Sequence, residues 1–143
     1  MPSKSATRED RRLERLTDIC LDLPEAIRER HATHAAFTVR DRKFSYYLDD
    51  HHGDGIVALC ARAAPGVNDA LIASDADRFY KPAYIGPRGW VALRLDVGRV
   101  DWDEVAELVI DSYRLVAPKR LVAALDHGPE ADGRSSTRRR GAE

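Results

Sequence analysis

Long apolar runs are missing from this chain. Nowhere does it reach the ~18 consecutive apolar residues that cross a bilayer, and the polar start from Met1 to Arg12 lacks the apolar stretch of a secretory signal. The expectation is a cytoplasmic protein. Cysteine is scarce as well: two in 143 residues build no disulfide framework, and Cys20 and Cys60 each lie among apolar neighbours, so buried free thiols are expected. An excess of one charge is also lacking, since 23 basic residues face 24 acidic ones, and this excludes adhesion to nucleic acid by net charge alone. Catalytic signatures are absent too. No serine stands in a Gly-x-Ser-x-Gly setting and neither cysteine has a histidine nearby in sequence. Gly86-Pro87-Arg88-Gly89 lacks the lysine and hydroxyl of a phosphate loop and precedes a strand pattern. Acyl transfer therefore has no support in the sequence, the Gly86–Gly89 stretch reads as a turn with Arg88 as its one group for a phosphate, no catalysis is expected, and no cofactor is implied.

What is present fits one domain, spanning residues 8–126 between a flexible stretch 1–7 and a tail 127–143 rich in Gly, Ser and Arg, which holds too little apolar surface to order itself. No internal repeat is visible. Residues 1–12 and 127–143 together take eight basic and five acidic residues, which leaves 15 against 19 in the stretch Leu13 to Asp126, a balance of −4. Leu13, Leu16, Ile19, Cys20 and Leu23 recur at helical spacing, so a helix is expected over Arg8 to Asp22, stopped by Pro24. A polar link follows through Arg30. Strands are expected at Ala36–Arg40, at Phe44–Asp49 with Phe44, Tyr46 and Leu48 on one face, and at Ile56–Ala61, joined by an Asp41-Arg42 turn and an Asp-His-Gly loop. A short helix Val67–Ser74, an edge strand or extended loop Phe79–Ile85, and a strand Trp90–Asp96 come next. Asp101 with Glu104 makes a variant capping box for a last long helix limited by Pro118, after which Lys119–Leu125 adds a final turn or two. The order helix, three strands, helix, two strands, helix predicts an α+β fold: two layers, an antiparallel sheet with helices on one face.

Three sets of residues could carry chemistry. His31, His34, His51 and His52, with Asp49, Asp50 and Asp54, have the donor types that divalent metals accept, and a hairpin brings them toward one sheet edge. Turn geometry accounts for the same residues, so no metal is assigned. Cations stand at projecting points of the chain: Arg40, Arg42 and Lys43 at one turn, Arg88 at another, Lys119 and Arg120 after the long helix. Such groups can lie along a duplex and displace its counterions. Tyr46, Tyr47, Tyr80, Tyr84, Trp90 and Trp102 offer rings for stacking or for packing.

Phe44-Ser-Tyr-Tyr-Leu-Asp-Asp-His-His-Gly-Asp-Gly, then Tyr84-Ile-Gly-Pro-Arg-Gly-Trp-Val, then Asp111-Ser-Tyr-Arg-Leu-Val-Ala-Pro-Lys-Arg resemble, in this order, the MmcQ/YjbR family of small bacterial proteins. The likeness covers roughly Leu13 to Leu125. It implies a two-layer fold of the YjbR-like, CyaY-like kind and a double-wing mode of binding double-stranded DNA, in which hairpin loops flank the duplex. The positions matching the wings are Arg40 to Lys43 and Arg88. Iron binding of the frataxin type, another suggestion of that fold, needs an acidic first helix, and here Arg8, Arg11, Arg12 and Arg15 interrupt the acids. The expectation is a monomeric or weakly dimeric DNA-binding protein. A module that binds a protein or small ligand through the sheet face or the Tyr80–Trp90 segment is the alternative, and a metal-dependent activity of the histidine cluster is the third.

Overall fold

The computed structural model describes residues 4–30, 34–50, 53 and 55–127. The expected tail from residue 128 onward, residues 1–3, His31, His51, His52 and Asp54 lie outside them. The elements are α1 (Lys4–Leu21), β1 (Ile27–Arg30), β2 (His34–Val39), β3 (Arg42–Asp49), β4 (Val57–Arg62), α2 (Val67–Ser74), β5 (Phe79–Tyr80), β6 (Trp90–Arg94), α3 (Trp102–Val116) and α4 (Lys119–His127). Helix α1 starts four residues ahead of Arg8, and α4 runs on to His127. The strands form one antiparallel sheet in the order β1-β2-β3-β4-β6-β5. The expected α+β architecture stands, with one strand added at its edge.

That strand, β1, occupies the stretch expected as a polar link. Its sequence Ile-Arg-Glu-Arg is exposed throughout and has no apolar alternation, because an edge strand needs only a ladder partner, here β2. A second difference concerns β3. Phe37 pairs with Ser45 and Thr38 with Lys43, so Phe44 is an extra residue, a β-bulge. The bulge changes the phase of the strand. Phe44 and Tyr47 join the helix-side core, while Tyr46 and Leu48 turn to the other face, rather than all of Phe44, Tyr46 and Leu48 sharing one.

The core on the helix side gathers Leu13, Leu16 and Cys20 of α1, Phe37, Val39, Leu59, Val91 and Leu93 of the sheet, Val105, Val109 and Tyr113 of α3, and Leu121 of α4. Tyr113 meets the edge of Phe44 at 5.5 Å between centroids, and its hydroxyl donates to the Pro24 carbonyl at 2.7 Å. Asp101 caps α3, accepting from the N–H groups of Asp103 and Glu104. Glu104 does not close the reciprocal half of the box. Its carboxylate goes to Arg78 at 2.6 Å, and Arg78 also binds Asp75.

Cys20 lies in the helix-side core and Cys60 in the opposite cluster, so the sheet itself separates two free, buried thiols. Burial pushes the Cys60 thiol up to about 12 and raises that of Cys20 as well, where the neighbouring Ser45 hydroxyl offsets a little of the rise. Neither is a thiolate at neutral pH.

Candidate functional site

Antiparallel register decides which loops share an end of the sheet. Strand β2 ends at Val39, β3 begins at Arg42, β4 ends at Arg62 and β6 begins at Trp90, opposite Arg62. The β2–β3 turn, the exit of β4 and the Gly86–Arg88 turn therefore lie along one rim. Ser112 of α3 brings the helix layer to the same place: its hydroxyl donates to the Phe44 carbonyl at 2.6 Å and accepts from the Arg62 N–H at 2.9 Å. Helix α3 thus ends at this rim, and Lys119 and Arg120 begin α4 beyond Pro118.

The β2–β3 turn consists of Arg40 and Asp41, both at positive φ (51° and 67°), as a two-residue hairpin requires; the turn sits one residue earlier than the Asp41-Arg42 pair expected. Arg40 is committed to Glu25, Nε to Oε1 at 2.6 Å and Nη2 to Oε2 at 3.1 Å. That bond, helped by the charges of Arg40 and Arg120, holds the Glu25 carboxyl below its ordinary value. By contrast Arg42, Lys43, Arg62, Arg88, Lys119 and Arg120 have no ion-pair partner among the described residues. Lys43 is paired across the ladder with Thr38 and Arg62 with Trp90, which puts both on the face away from the helices. From β3 through β4 to β6, at about 4.8 Å per strand, the rim spans roughly 10 Å.

The Arg88 turn is fixed by its neighbours. Buried Asn68 of α2 donates to the carbonyls of Gly86 and Trp90, each at 3.2 Å. Gly89 sits at φ 98° and accepts from the Ala63 N–H at 2.9 Å, and a Cβ there would crowd the Ala63 carbonyl at 3.2 Å. Behind the turn is a cleft of about 460 Å3 whose polar lining includes Arg62, Lys81, Arg88 and Asp69, with Lys81 bound to Asp69 at 2.9 Å.

A group of acids lies at the opposite end. Asp49 ends β3 and Asp50 follows it, Asp96 follows β6, and Asp101 caps the start of α3 with Asp103 and Glu104 in its first turn, about 20 Å from its far terminus at 1.5 Å per residue. Other carboxylates stand at the rim itself: Asp41 in the β2–β3 turn, Glu25 on Arg40 and Asp69 on Lys81. Asp50 is used locally, its Oδ1 accepting from Gly55 N–H at 2.6 Å to close the β3–β4 loop.

Of the histidine set, the described residues hold His34, at the start of β2 and tilted against Tyr46 at 6.3 Å between centroids. No three His, Cys, Asp or Glu side chains gather as a metal site among the described residues. The aromatic residues divide. Tyr47 and Trp102 pack with the helix-side core, whereas Tyr46, Tyr80 and Trp90 cover the small residues Ala58, Cys60 and Ala92 on the other face. Tyr46 and Trp90 lie 5.3 Å apart. A groove of about 200 Å3 opens there, lined by Tyr46, Cys60, Tyr80, Pro82, Tyr84 and His34 among others.

Two residues of these sites escaped sequence reasoning. Arg62 ends an otherwise apolar run, and Lys81 stands alone before Pro82; neither belongs to a local cluster, and only the register of β4 with β6 signals where Arg62 sits. Among the described residues no helix is long and apolar enough to cross a membrane.

No curated protein matches the sequence. Among solved structures, the crystal structure of Deinococcus radiodurans protein DR2400, with a domain described as DUF419, superposes with a TM-score of 0.63 at 21% identity, covering 87% of this chain and 95% of that one. At that identity the likeness is one of fold. The family model described as YjbR matches residues 21–115, and the chain therefore belongs to the YjbR family.

Proposed function

We propose that this YjbR-family chain binds DNA through the cationic rim, with Arg42, Lys43, Arg62 and Arg88 against the phosphates and Lys119 and Arg120 extending the contact on the helix side. No catalytic step is assigned to it. The observation that carries the reading is the convergence, at one end of the sheet, of cations with no carboxylate partner among the described residues. A guanidinium already neutralised contributes little to counterion release, so Arg40 is secondary to its neighbours. In the double-wing picture the Arg40–Asp41 turn and the Gly86–Gly89 turn are the two wings. Both are short and pinned, which suits phosphate contact more than deep reading of base edges.

Each phosphate neutralised adds about −0.9 to the slope of log affinity against log salt, so four contacts weaken binding by about two decades between about 50 and 200 mM salt. Fluorescence anisotropy with a labelled duplex checks this. Arg62→Glu and Arg88→Glu should each flatten the slope and weaken binding at every salt. A duplex that fails to bind at low salt, or binding indifferent to both reversals, removes the proposal.

A further inference from the structure

We infer that the open face of the sheet seats an unpaired base of single-stranded DNA, whose phosphates run along the cationic rim. This rests on the DNA-binding reading above and specifies the form of the strand.

The two features are contiguous. Cys60 lies in the floor of the groove, and Arg62, two residues further along β4 and on the same face, stands about 7 Å away at the rim, across from Trp90. Lys43 holds the corresponding place near Tyr46, on β3. A ligand with a flat apolar part and an anionic part a few ångströms away fits this spacing, as a nucleotide does. Charge supports an anionic part at the rim end, where the cations lack carboxylate partners among the described residues; Glu29 of β1 lies on the same face, and its charge reaches Tyr46.

Size and chemistry narrow it further. At about 200 Å3 the groove is smaller than the roughly 300 Å3 at which drug-sized sites begin, so its occupant is of the order of one ring system. The rings of Tyr46, Tyr80 and Tyr84 border the space, and every base has a π-face on which such rings stack without regard to sequence. A duplex keeps those faces covered by neighbouring pairs, so only an unpaired strand can offer one. Tyr84 stands at the mouth, 86% exposed, and holds φ at 69°, a region a bulky L-residue rarely enters. The chain thus presents a ring at the groove's edge in a conformation that glycine would adopt more readily.

Anisotropy titrations of the full chain with a short oligothymidine and with a duplex of matching length, at one salt, test the inference. The oligothymidine is expected to bind at least about tenfold more tightly. Tyr84→Gly, which suits the local φ, should weaken oligothymidine binding by about tenfold, within the range of one lost stacking platform, and leave duplex binding unchanged. Tyr84→Trp should restore the single-strand affinity. Arg62→Glu should weaken both ligands. Duplex bound as tightly as oligothymidine, Tyr84→Gly without effect on the single strand, or an oligouridine or acidic peptide that binds more tightly than oligothymidine overturns the inference. Binding of duplex alone leaves the rim reading standing, and binding of neither DNA removes both.

Discussion

Toward its helices the sheet presents Phe37, Val39, Phe44, Leu59, Val91 and Leu93, none more than 3% exposed; away from them it presents Ala36, Ala58, Cys60 and Ala92, equally buried. The two faces reach the same burial by different means. Where helices interlock with the sheet, long side chains fill the space between layers. On the other face no helix packs among the described residues, and small side chains are covered by the rings of Tyr46, Tyr80 and Trp90 laid over them. A floor of alanines and one cysteine under a partial roof of rings leaves depth for a groove. The difference between the faces is thus one of residue size, and it separates the side that holds the fold from the side that can receive something.

The largest test of that contrast is in packing. Phe37→Ala on the helix side should cost about 3–5 kcal/mol, read from urea unfolding midpoints. Ala92→Val on the other face should cost about 1 kcal/mol, at the low end for an added pair of methyl groups, because the rings above it can shift. Equal costs would mean that the outer cluster is packed as rigidly as the core.

Acid probes the exposed parts of both ends. Asp96 is pulled upward by burial, but its bonds from Arg94 and the Val57 N–H outweigh that and hold it below its ordinary 3.8. Arg78 holds Asp75 below 3.8 and Arg40 holds Glu25 below 4.5, in each case through a direct hydrogen bond first. Carboxyls lowered in the folded state stabilise it fully above those ordinary values, and the contribution disappears as pH falls through the depressed ones. Melting temperature should therefore be level near neutrality and drop below about pH 4. Asp96→Asn should blunt the drop. A melting temperature indifferent to acid would contradict the assignment of these pairs.

The smallest expected effect sharpens the contrast between the free and the neutralised cations of the rim. Glu25→Gln releases Arg40, so duplex affinity should rise a few-fold and the salt slope should steepen by up to about 0.9, with stability scarcely changed because the pair is exposed. A slope that stays the same means that Arg40 does not reach the phosphates even when free.

Much of this architecture is legible in the residues. The spacing of Leu13, Leu16 and Cys20, the Asp101 cap and the alternation of Val91, Leu93 and Leu95 each follow from local rules and stand in the structure. Strand β1 was hidden because its charges satisfy an edge and carry no period. The face of Tyr46 was hidden because a bulge leaves no mark on composition. For the rim, Arg42, Lys43 and Arg88 stand out as turn cations. Arg62 does not, and neither does the pairing of Arg40 with a glutamate 15 residues earlier, since both depend on which chain segments meet at one end of the sheet.

Phe44 deserves a last consequence. As a single interpolated residue, it is the hinge of a binary assignment: upstream and downstream of it, odd and even positions of β3 exchange sides. Removing that one position would leave Thr38–Lys43 and Phe37–Ser45 as consecutive rungs, so Tyr46, Tyr47 and Leu48 would keep their faces while the interior lost the ring that meets Tyr113. The interpolated position thus adds a large side chain to the crowded face without disturbing the rungs on either side of it, and the groove beneath Tyr46 does not depend on it.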